Sequence, residues 1–125
     1  MAVAACSEAI TVEVVNNTGQ SITVSSCLGE VALQPGAWHT LYLHSCAQAP
    51  TVRVQSGVQT WVYGSFLSFD TPFLRRELRR QRIPMGIVYC AQIEPAGSVV
   101  FIPRSVALPV PEPNKVAGAV SISPT

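Results

Sequence analysis

Charge is scarce in this 125-residue chain: only 12% of its residues are Asp, Glu, Lys or Arg, about half the usual share. The net charge is +1, so there is no global pull toward nucleic acid or an anionic membrane, and any such attraction must be local. Glu and Lys, the common residues of helix surfaces, are sparse, which weighs against a helical domain. No run of about 18 apolar residues occurs, so a membrane-spanning helix is not expected. The four cysteines include no C-x-x-C pair, which removes the usual spacing of a zinc site or a redox dithiol. No serine lies in Gly-x-Ser-x-Gly, no glycine-rich loop is built to cradle phosphate, and the seven acidic residues are scattered. Enzymatic activity is therefore not expected, and no pattern asks for a cofactor.

What is present favours strands. Hydrophobic residues make up 48% of the chain, and Val, Ser and Thr are abundant. Ile10 to Val15 alternates apolar residues with Thr11 and Glu13, the period of a half-buried strand. Asn16-Asn17-Thr18-Gly19 has hairpin-turn chemistry, so Gln20 to Cys27 is expected to pair back on the first strand with Ile22 and Val24 inward. Val31 to Leu33 and Trp38 to His44 follow, separated by Gln34-Pro35-Gly36-Ala37, which reads as a type II turn. Thr51 to Gln55 and Val58 to Tyr63 form another hairpin about Ser56-Gly57. Gly86 to Ile93 and Ser98 to Ile102 flank a turn at Glu94-Pro95-Ala96-Gly97. About eight short strands at this spacing predict a mainly β fold, an antiparallel β-sandwich that is Ig-like or an open barrel. The domain is expected over 10–103. Residues 104–125, rich in Pro, Ala and Ser, form a tail or an edge strand, because Pro109, Pro111 and Pro113 argue against a central one.

One segment breaks the pattern. Residues 75 to 82 read Arg-Arg-Glu-Leu-Arg-Arg-Gln-Arg and hold five of the eight basic residues. Asp70 or Thr71 suits an N-cap, Pro72 the first helical position, and Pro84 a stop, so a short helix is expected over 72–82. Arg75, Arg76, Arg79, Arg80 and Arg82 then form a docking surface for an anionic lipid, an envelope polymer or an acidic protein face, since guanidinium groups bind oxyanions bidentately. The plainer alternative is a solvated helix face whose cations complement the helix dipole. Nucleic acid is disfavoured, because no aromatics are interleaved with the arginines.

Cys27 and Cys46 each end a predicted strand, and a disulfide between them would close a loop of about 20 residues, worth about 3 kcal/mol. Cys90 is expected to be buried in its strand. Val3-Ala4-Ala5-Cys6-Ser7 resembles the lipobox of bacterial lipoproteins, which implies lipid attachment at Cys6 and makes residues 1–9 the remnant of a signal. The alternative is an Ala-rich start with an incidental cysteine. His44 and Cys46 share a strand face, but two ligands make a weak metal site. A Cys-His hydrolase using Cys46 with His39 or His44 lacks a third group. Trp38 with Tyr42, and Trp61 with Tyr63, each share a face; these rings are expected in the sandwich core, and an outward pair would instead make a platform for a sugar ring or a peptide. The sequon Asn16-Asn17-Thr18 is expected at an accessible hairpin tip. These features read as a small extracytoplasmic β-sandwich, a lipoprotein held at Cys6, acting as a non-catalytic binding or structural module. The alternative is a cytosolic or viral interaction domain that assembles through its edge strands and C-terminal tail.

Overall fold

A computed structural model describes residues 9–42, 51–64, 81–83, 86–102 and 107–125, with the backbone alone for 9, 10, 81–83 and 86–88. The described strands are β1 (Ala9–Asn16), β2 (Ile22–Ser26), β3 (Gly29–Leu33), β4 (Trp38–Leu41), β5 (Val52–Ser56), β6 (Gln59–Tyr63), β7 (Gln81–Ile83), β8 (Gly86–Ile93), β9 (Val99–Phe101) and β10 (Val120–Ile122). They build two sheets. A six-stranded sheet runs β10-β9-β8-β1-β4 with β7 also on β8, and a four-stranded sheet runs β3-β2-β5-β6. The fold is a β-sandwich.

Each sheet turns alternate residues inward, as a period-2 pattern requires. From the six-stranded sheet come Val12, Val14, Leu41, Tyr89, Ala91, Ile93, Val99 and Phe101, and from the other come Ile22, Val24, Leu33, Val52, Val54 and Tyr63. Tyr89 and Phe101 meet edge to face at 6.2 Å. The other face of the four-stranded sheet is polar, and along β5 Arg53 and Gln55 are exposed between buried Val52, Val54 and Ser56. The six-stranded sheet is different, because Thr11, Val15, Cys90, Gln92 and Val100 on its far face are buried too. Gln92 shows one reason. Its side-chain amide donates to Val110 O and accepts from Val110 N, both at 3.0 Å, so Val110 lies over that face.

Two expectations are corrected. The turn at Asn16–Gly19 does not fold β2 back on β1. Instead β1 pairs antiparallel with β4 and in parallel with β8 over eight residues, while β2 enters the other sheet. Asn16 makes the crossover. Its Nδ2 donates to Gln20 O and Leu33 O, and its Oδ1 accepts from Thr18 N and Thr18 Oγ1, so every polar valence of the amide is used. With Asn16 only 1% exposed, the sequon is not accessible in the folded domain. The β1–β8 pair is also the one parallel pairing among the described strands, the others being antiparallel.

The second correction concerns the end of the predicted helix. Gln81 and Arg82 are in β7, antiparallel to β8 with Arg82 opposite Ile87. β9 covers β8 only at Ala91–Ile93, and β7 supplies hydrogen-bond partners to the remaining end. That tertiary demand outweighs a local helix propensity of a few tenths of a kcal/mol per residue. Residues 72–80 of the predicted helix lie outside the described residues. The type II turn is present as expected, with Ala37 N donating to Gln34 O at 3.0 Å and Gly36 at φ 81°.

Candidate docking surface on the open side of the sandwich

One side of the sandwich is closed by the chain itself. β6, the edge of the four-stranded sheet, receives the last residue: Thr125 N donates to Val62 O at 2.7 Å. Three residues earlier the same segment pairs with β9 as β10, so it bridges the two sheets. The β8–β9 turn adds a second closure. Tyr63 Oη donates to Gly97 O at 2.5 Å, and the Trp61 indole lies so close that a Cβ on Gly97 would sit 2.8 Å from its Cε2.

The opposite side has no such bridge among the described residues. It is bounded by β3, the edge of one sheet, and β4, the edge of the other, joined at one end by the Gln34–Ala37 turn. Between them lies a groove of about 340 Å³, lined mainly by Leu28, Glu30, Val31, His39, Leu41 and Tyr42. Its floor is apolar, and among the described residues of the lining Glu30 is the one carboxylate and there is no Lys or Arg. Leu28 is 49%, Tyr42 52% and Trp38 62% exposed. A second, shallower depression of about 180 Å³ is lined, among the described residues, by Ser25, Ser26, Thr51 and Arg53.

The main chain of β4 has a defined orientation. Asn16 N donates to Ala37 O, whereas Asn17 N donates to Ile93 O. Even-numbered residues of β1 therefore bond toward β4 and odd-numbered ones toward β8. Through the register Val14↔His39 and Val12↔Leu41, His39 and Leu41 bond inward. Alternation then turns the N–H and C=O of Trp38 and Thr40 to the open edge.

The site residues expected from the sequence divide. Cys6, His44, Cys46, Arg75, Arg76, Arg79 and Arg80 lie outside the described residues. Arg82 is on β7, and Cys27 is exposed in the β2–β3 turn beside Leu28. Cys90 is a buried thiol whose Sγ is 3.8 Å from Glu13 Oε2. His39, half-buried, lines the groove. Among the described residues no group of three His, Cys, Asp or Glu side chains could hold a metal ion, and no helix is long and apolar enough to cross a membrane. Of the two aromatic pairs, Tyr63 is buried with Trp61 packed against the core, and Trp38 and Tyr42 point outward. The groove was not visible in the sequence, because its two walls belong to different sheets. The one signal was the alternation Trp38-His39-Thr40-Leu41-Tyr42.

No protein-family model, curated protein or solved structure matches this chain.

Proposed function

We propose that this chain is a non-catalytic interaction module whose open side accepts an extended peptide segment as an added strand. One coincidence carries the reading: of the four exposed large hydrophobics among the described residues, Leu28 and Tyr42 line the groove, Trp38 stands on the same β4 edge, and only Val58 lies elsewhere. Edge strands are ordinarily protected by Lys, Pro or a bulge. β4, Trp38-His39-Thr40-Leu41, carries neither Lys nor Pro. Strand addition would supply main-chain hydrogen bonds to Trp38 and Thr40, while alternate side chains enter the groove. Glu30 favours a neutral or basic peptide over an acidic one.

The proposal keeps the extracytoplasmic setting, with lipid attachment at Cys6 and a Cys27–Cys46 disulfide, supported by the lipobox-like run and the exposed position of Cys27. A cytosolic assembly domain is the alternative. The Arg75 to Arg82 run, with most of the basic charge of the chain, would give a separate contact to an anionic lipid, an envelope polymer or an acidic protein.

Fluorescence tests the peptide reading. In a Trp61→Phe variant Trp38 is the sole indole. A hexapeptide of alternating Val and Thr with terminal Lys should shift its emission saturably, and a β-linked glucose hexamer should not. The opposite response would replace the peptide by a sugar ring on the Trp38 and Tyr42 platform.

A further inference from the structure

The β4 edge is close to its own mirror in sequence. Thr40 is the middle of Trp38-His39-Thr40-Leu41-Tyr42, with an aromatic two residues away on each side and none of the five formally charged. Trp38 and Tyr42 are both more than half exposed; alternation along β4 puts Trp38 and Thr40 on the face turned away from the other sheet, and Tyr42 follows the strand two residues beyond Thr40. Thr40 is also a residue whose N–H and C=O point to the open edge.

We infer that a second copy of this chain occupies the edge, β4 against β4, antiparallel, about a two-fold axis through Thr40. In that register Thr40 faces Thr40 of the second copy, and the two exchange both main-chain hydrogen bonds. Trp38 of each copy lies opposite Tyr42 of the other. An isologous contact needs one surface to be complementary to itself, and this five-residue stretch meets that condition in polarity, size and charge. Shifting the register by two residues would set Thr40 of each copy opposite an aromatic of the other and leave no Trp38–Tyr42 pair. Shifting it by one would set outward main-chain groups against residues whose groups are turned to β1. Cross-strand aromatic pairs and Thr–Thr pairs are among the favourable ones.

Magnitude sets the character of the dimer. The four rings would bury on the order of 500 Å² beyond what they bury now. With the main chain included, that stays near the lower limit of specific interfaces, so the dimer is weak and dissociates on dilution. The inference rests on the strand-adding reading and narrows its occupant.

Sedimentation of the full chain across a dilution series tests it, together with two variants at the axis. Thr40→Pro removes only an N–H that points away from β1, a place where an edge strand tolerates Pro. Thr40→Cys puts thiols on a hydrogen-bonded antiparallel pair, about 5.5 Å between Cα atoms, within reach of a disulfide. The expected result is a concentration-dependent dimer, lost in Thr40→Pro and in the double variant Trp38→Thr/Tyr42→Thr, with non-reducing peptide mapping showing a cross-link of position 40 to position 40 in Thr40→Cys. A chain that stays monomeric at millimolar concentration overturns the inference, as does a dimer that persists in the double variant or cross-links elsewhere. A monomer whose Trp38 still responds to the alternating peptide overturns the second copy alone, and one that responds to neither peptide nor dilution overturns the strand-adding reading as well.

Discussion

The Tyr63 hydroxyl donates to the carbonyl of Gly97 across the sandwich at 2.5 Å, between two residues 34 positions apart. Tyr63 is 1% exposed, and its bond fixes the β8–β9 turn of one sheet on β6 of the other. This contact helps close one side of the molecule, and the proposed partner surface lies on the other.

Gly97 should be the least replaceable glycine in a described turn. It has φ 96°, and an added Cβ would meet the Trp61 indole at 2.8 Å, so a substitution adds backbone strain to overpacking. Gly97→Ala should cost at least about 2 kcal/mol in urea unfolding. Gly19→Ala, at φ 83° with nothing within 4 Å, should cost about 1 kcal/mol. Equal costs would mean that the Trp61 contact is not tight.

Burial pushes the Tyr63 phenol well above its ordinary range. The sign follows from proton binding: above pH of about 10 the unfolded chain releases the phenolic proton while the folded chain keeps it. The stabilising contribution is complete below that pH and falls above it, by at most about 1.4 kcal/mol per pH unit. Unfolding measured between pH 9 and 11 should show this slope (about one proton's worth), and Tyr63→Phe should reduce it.

Asn16→Ala should be among the most damaging polar substitutions. It would leave Leu33 O and the Thr18 and Gln20 main-chain groups without the amide that joins β1 to β2 and β3. Buried unsatisfied groups cost about 1–3 kcal/mol each, so a loss of at least about 3 kcal/mol is expected. Asn16→Asp should be no rescue, because a carboxylate would face two carbonyl oxygens. Mass spectrometry of protein from a glycosylating host should find Asn16 bare.

Gln92→Leu should loosen the C-terminal segment selectively. It removes both hydrogen bonds to Val110 and the contact to Glu94 Oε2 at 2.7 Å. Lys115 is an exposed trypsin site in the short 3-10 turn Pro113–Lys115, and its ion pair with Glu112 at 3.2 Å has both side chains well exposed, so that pair contributes little. Tryptic cleavage after Lys115 should be faster in the variant, with the β2–β3 and β5–β6 hairpins remaining protected.

The sandwich was legible because the strands announce themselves locally. Ile22 and Val24 are inward as their alternation implied, and Gly36 takes the positive φ that the Pro35-Gly36 turn demanded. Strand partnership was not legible. Asn16–Gly19 has hairpin chemistry, yet the Asn16 side chain binds Leu33 O, 17 residues on, and sends β2 to the other sheet. Local turn preference cannot report a contact made at that range. Gln81 and Arg82 repeat the lesson, since the uncovered end of β8 drew them into a strand. The candidate site was only partly legible: spacing put Trp38 and Tyr42 on one face, but large aromatics are expected in a core, and their exposure and the neighbour Leu28 needed the topology.

Amide hydrogen exchange within β4 tests the central claim most directly, namely that this edge is where the module meets a partner strand. The N–H of His39 bonds toward β1, and that of Thr40 points to the open edge. Thr40 should exchange rapidly in dilute protein and slow by about tenfold or more in concentrated protein or with saturating alternating peptide, while His39 stays slow throughout. Exchange at Thr40 that is the same under all three conditions would contradict the account.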